Sequence, residues 1–102
     1  MRLTQKQLDA TLQSFRASFL PEDRLWLFGS RVDDHQKGGD IDFYIETNYD
    51  DSSKAVEKKI RFLTDLKKSI GEQKIDVVLN ILKNNTHQRI YDEAKNTGIQ
   101  LI

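Results

Sequence analysis

Three acids carry the chemistry that this sequence can offer. Asp40 and Asp42 stand two apart in Gly39-Asp40-Ile41-Asp42-Phe43-Tyr44-Ile45, and Asp76 stands inside Ile75-Asp76-Val77-Val78-Leu79. In an extended strand, residues two apart leave the same face, so Asp40 and Asp42 are expected side by side. Carboxylates that close repel each other in a dry site, and the repulsion is relieved by taking up a proton or binding a cation. Magnesium prefers oxygen ligands and keeps water and substrate phosphates in its shell. The pair therefore suits one half of a cage for a metal bound to a triphosphate. If the strand carrying Asp76 lies beside that of Asp42, a third carboxylate faces the same cleft. It would then help hold a second metal or help deprotonate an attacking hydroxyl. An Asp-x-Asp pair alone is more often a solvated strand edge, so the weight rests on the combination.

The second element of that combination is Gly29-Ser30-Arg31, which follows the apolar run Leu25-Trp26-Leu27-Phe28. Phosphates bind where backbone amides point outward, as at the start of a helical turn. Gly29 lets the backbone approach a ligand closely, Ser30 adds a hydroxyl and Arg31 adds positive charge. Gly39 closes the following loop directly before the acids. Gly29, Ser30, Arg31 and Gly39 are thus the candidate nucleotide contacts. The turn is not a Walker loop, because Gly-Lys-Ser/Thr is absent.

The positions of these residues depend on a simple order of elements. Thr4 and Gln7 are spaced as a capping box, and Leu8, Leu12, Phe15 and Phe19 form one helical stripe that Pro21 stops. Leu25 to Phe28 suits a buried strand, and Ser30 suits the cap of a helical turn through Asp33. Asp40 to Glu46 predicts a second strand, with Ile41, Phe43 and Ile45 on the face opposite the acids. A second helix is expected from about Ser53 to Ile70, buried along Val56, Ile60, Leu63, Leu66 and Ile70 and ended by Gly71. A third strand follows from Lys74 to Leu82. A last helix is expected from Asn84–Thr86 to about Asn96, and Ile99 to Ile102 is packed tail or short strand. The helix between strands two and three makes a parallel pair plausible. The fold class is α+β: a small mixed β-sheet with helices packed on it.

Bulk properties narrow the classes. The 102 residues are expected to form a single domain over 1–102. Apolar residues are 37% and charged residues 31%, but the apolar ones fall in periodic runs, which argues against disorder. Sixteen basic and sixteen acidic residues cancel, so tight binding to nucleic acid is not expected. There is no cysteine, which removes disulfides and thiolate metal sites. His35 and His87 are too few for a histidine-built zinc site and are expected at the surface. No apolar run nears the roughly 20 residues that span a bilayer, and no signal core opens the chain. A soluble, cytoplasmic protein without membrane contact is expected.

Phe28-Gly29-Ser30-Arg31, Gly39-Asp40-Ile41-Asp42 and Ile75-Asp76-Val77-Val78 together resemble the polymerase beta-like nucleotidyltransferase superfamily. Within it the chain is similar to the minimal nucleotidyltransferases (the MNT group), and the likeness spans about Leu25 to Leu82. The resemblance implies that Gly29 and Ser30 hold the triphosphate of ATP. It implies that Asp40 and Asp42 bind two Mg2+ ions, and that Asp76 completes the metal site or activates the acceptor. The implied reaction is attack by a hydroxyl on the α-phosphate with release of pyrophosphate. Members of the minimal group pair with a helical HEPN-family toxin and act as its antitoxin by attaching AMP to a tyrosine. Two other readings stay open: an antitoxin that masks its partner without catalysis, with the apolar 99–102 tail as one candidate surface, and transfer to a small molecule or an RNA end.

Overall fold

The computed structural model describes residues 1–33 and 39–102; the expectations for the 34–38 loop, His35 included, lie outside the described residues. Helix α1 (Gln5–Ser18) opens on the predicted capping box. Thr4 Oγ1 accepts from the Gln7 amide at 3.1 Å, and Gln7 Oε1 accepts from the Thr4 amide at 3.0 Å. Strand β1 (Arg24–Phe28) leads into a 3₁₀ turn (Gly29–Val32). Strand β2 (Ile41–Thr47), helix α2 (Ser52–Ile70) and strand β3 (Ile75–Ile81) follow. A second 3₁₀ turn (Leu82–Asn84), helix α3 (Arg89–Thr97) and strand β4 (Ile99–Gln100) complete the order.

The sheet runs β3-β2-β1-β4. β2 and β3 are parallel, as the intervening helix requires, and β1 is antiparallel to both β2 and β4. One face carries Leu25, Leu27, Ile41, Phe43, Ile45 and Ile75 into a core closed by α1 and α2. Phe62 of α2 packs edge-on against Phe15 and Phe43 there. The other face carries Trp26 and Tyr44, covered by Tyr91 and Ala94 of α3. This is the period-two split expected of the strands. The two faces give Asp42 and Asp76 their side: they share it with Tyr44 and Val78.

Several local expectations are corrected. The stripe of α2 is rotated: Val56 and Ile60 are 42% and 56% exposed, while Ala55 and Phe62, outside the expected stripe, are fully buried, and Leu66 is fully buried as expected. Leu63 and Ile70 pack against the core as expected. Ser30 does not cap the first 3₁₀ turn, since the capping position is Phe28, without a side-chain bond. α3 starts at Arg89, because residues 82–84 make a separate turn that ends on Asn85 in a left-handed conformation. The tail is short strand and packed apolar contact: Leu101 and Ile102, partly buried, lie against the core. His87 is exposed and pairs with Asp92 at 2.7 Å, as a surface residue does. Among the described residues no helix is long and apolar enough to cross a membrane.

Candidate active site

The parallel register of β2 and β3 places Asp42 directly beside Asp76. Asp40 lies one residue before β2, and its carboxylate is about half-buried. The antiparallel register of β1 and β2 sets Phe28 opposite Asp42, so β1 delivers Gly29 to the same end of the sheet. Gly29 has φ +76°, and a Cβ there would collide with Asp42 Oδ2. Gly39 has φ +90°, and a Cβ there would collide with Ser30 Oγ. Both positions need glycine for conformation and for space. The Gly-Ser turn, the Gly39 backbone and Asp42 are therefore one packed unit.

Electrostatics mark Asp42 as the stressed member. Its pKa is raised, first by burial, then by the charges of Asp76 and Asp40, while Lys74 pulls it down. Asp76 is exposed at the surface. Its apolar neighbours alternate: Ile75 and Val77 go to the core, and Asp76 stays at the open face. This answers why an acid can stand in so apolar a strand. Among the described residues no three acidic, His or Cys side chains converge into a ready metal cage. The donor set nevertheless fits a hard cation: Asp42 crowded by like charge and partly open to solvent, with two further carboxylates beside it. Such a cation would take its remaining ligands from substrate phosphates and water, as magnesium commonly does.

Arg31 braces the backbone here. Its Nη1 donates to the Arg2 carbonyl at 2.9 Å and its Nη2 to the Gly39 carbonyl at 3.3 Å. Arg2 returns the grip: its amide donates to the Arg31 carbonyl at 2.7 Å and its Nη2 to the Ser30 carbonyl at 2.9 Å. The segment before α1 thus fixes the Gly-Ser turn. Sequence reading missed Arg2, and no local pattern points to it, because the contact spans 28 residues. It also missed Lys74, whose Nζ lies 3.4 Å from Asp40 Oδ2. Lys74 was findable: it precedes Asp76 by two, as Asp40 precedes Asp42, so parallel strands set the two side by side.

Under the acids, the sheet is stiffened by a polar network. Tyr44 is buried; its hydroxyl donates to Glu46 Oε2 at 2.8 Å and accepts from Asn80 Nδ2 at 3.0 Å. Burial raises the Tyr44 pKa strongly, so the phenol stays protonated. Lys95 of α3 pairs with Glu46 at 3.2 Å and sits over the Trp26 ring. These contacts tie α3 to the two strands that end at the site.

Comparison with known proteins agrees with this geometry. The family model described as "Nucleotidyltransferase domain" matches residues 8–99. No curated protein and no solved structure matches the chain. The four-stranded mixed sheet with its helices is consistent with the polymerase beta-like form of that domain.

Proposed function

Because the chain belongs to the nucleotidyltransferase domain family, we propose that it transfers AMP from ATP to a hydroxyl of another protein. The acceptor is a tyrosine of a HEPN-family toxin, and the transfer makes this chain an antitoxin of the MNT group. The family supports nucleotidyl transfer, a nucleoside triphosphate substrate and use of a divalent metal. The observation that carries the transfer reading is the Asp42–Asp76 register pair with Gly29 packed on Asp42. The protein partner rests on the likeness to the minimal group.

In this reading Gly29 and Ser30 receive the triphosphate, and Asp40, Asp42 and Asp76 hold Mg2+, with two ions expected. The bound metal supplies positive charge to the attacking and leaving oxygens. The acceptor oxygen forms a bond to the α-phosphorus, the bond from that phosphorus to pyrophosphate breaks, and the hydroxyl proton passes to the Asp76 carboxylate and on to water. Arg31 acts here by holding Gly39 and the turn in place. The reaction needs the chain inside the cell with ATP, which agrees with a cytoplasmic site.

The test uses α-labelled ATP, Mg2+, this protein and a folded HEPN-family protein as candidate partner. Label is expected on a partner tyrosine, and Asp42→Asn should abolish it with the fold intact. No transfer from any nucleotide to a folded partner would sink the proposal. Neutralisation by masking keeps one supporting observation, the exposed Val56 and Ile60 on α2. It is decided by the Asp40→Asn/Asp42→Asn double variant, which neutralises the partner fully only if masking suffices. Label on an RNA end or a small molecule in place of the partner would redirect the acceptor assignment.

A further inference from the structure

We propose that Lys74 is the site's resident counter-cation, competing with a free divalent metal for Asp40 so that metal binds best together with a triphosphate. The inference rests on the nucleotidyltransferase reading above and concerns how that site is loaded.

Lys74 is held at the site by its backbone as well as its charge. Its carbonyl accepts from the Ile41 amide at 3.1 Å, which fixes the residue alongside the start of β2, next to Asp40. Its ammonium lies 3.4 Å from Asp40 Oδ2 and also acts on Asp42. Among the described residues it makes an ion pair at the site, with Asp40. The Lys74 side chain is 71% exposed and that of Asp40 40%, so the pair opens at low cost. A compact ammonium on a flexible stem can satisfy a carboxylate, but a metal entering alone must displace it and bear its repulsion. A triphosphate changes the balance, because it brings anionic oxygens that can take the released ammonium. Metal and nucleotide then favour each other, and by linkage each raises the affinity of the other by the same factor.

The experiment titrates Mn2+, read by electron paramagnetic resonance, with and without the α,β-methylene analogue of ATP. It compares the unaltered protein, Lys74→Met, Lys74→Arg and Lys83→Met. Lys83 is a charge-matched control that pairs with Asp50 at 3.4 Å. Lys74→Met is expected to bind Mn2+ alone about two- to five-fold more tightly, the range of an exposed ion pair. The tightening caused by the analogue should shrink by the same factor. Lys74→Arg keeps the pair and should match the unaltered protein, and Lys83→Met should match it too. Unchanged or weaker Mn2+ binding by Lys74→Met overturns the inference, as does an equal effect of Lys83→Met. If the unaltered protein binds both Mn2+ and the analogue, that failure touches Lys74 alone. If it binds neither, the nucleotidyltransferase reading falls and this inference with it.

Discussion

At the scale of residues, Asp42 shows a site kept at a cost to the fold. Burial and two neighbouring acids raise its pKa above the unfolded value. An acid shifted that way favours the folded state while protonated and destabilises it once ionised, as pH rises through the raised pKa. Asp42→Asn should therefore melt about 1–3 °C above the unaltered protein at pH 7 while losing transfer activity. The gap should close as pH falls and Asp42 takes up its proton; thermal melts across pH 3–8 check the sign. Gly29→Ala tests the adjoining turn. A left-handed alanine costs about 1–2 kcal/mol, and its methyl also pushes Asp42 aside. Its denaturant midpoint should drop modestly, while transfer should fall by at least tenfold, more than the lost folded fraction explains. The acids and the Gly-Ser turn were legible in the sequence because their spacing is local and strand alternation fixes their face. Arg2 was not, because its partners at Ser30 and Arg31 are distant in sequence and only the folded chain brings them together.

At the scale of elements, α2 shows why periodicity alone can choose the wrong face. Its sequence offers two overlapping stripes, the expected Val56-Ile60-Leu63-Leu66-Ile70 and an Ala55-Phe62-Leu66 line that shares Leu66 with it. The second is buried because it delivers Phe62, whose ring meets Phe15, Phe19 and Phe43 edge-on. A phenyl ring filling the space between three others outweighs two aliphatic side chains left at the surface. The small residues Ala10, Thr11, Ser14 and Ser18 of α1, also outside the expected stripe, are buried alongside. Phe62→Ala should cost about 3–5 kcal/mol, a large share of the stability of so small a domain. Ile60→Lys should stay within about 0.5 kcal/mol. Urea titration of the two variants ranks the faces directly; a larger loss at Ile60 would restore the stripe read from sequence. The strands were easier to place, because each alternates cleanly and both of their faces are covered by something different.

At the scale of the whole molecule, the elements divide into a support side and a working side. α1, α2 and one sheet face make the larger core, and α3 covers only the Trp26–Tyr44 part of the other face. The ends of β1, β2 and β3 that carry Gly29, Asp42 and Asp76 meet beyond it. The sequence had the order of elements and the parallel pair, but not β4 as the outer strand, since a two-residue strand carries no periodicity of its own. A chain with equal numbers of acidic and basic residues has little net field to attract a nucleotide, so affinity must come from the local site. A ligand that binds only the folded state stabilises it by about 2.7 kcal/mol at a hundredfold excess over its Kd. For a domain of this size that corresponds to about 10–20 °C in Tm. Mg2+ with the non-hydrolysable ATP analogue should produce such a rise, Mg2+ alone much less, and the analogue with a chelator much less. Asp40→Asn/Asp42→Asn should abolish the rise without lowering the ligand-free Tm, because the double variant removes like charges and no core contact. A rise that survives in that variant would place nucleotide binding elsewhere on the molecule and separate it from the three acids.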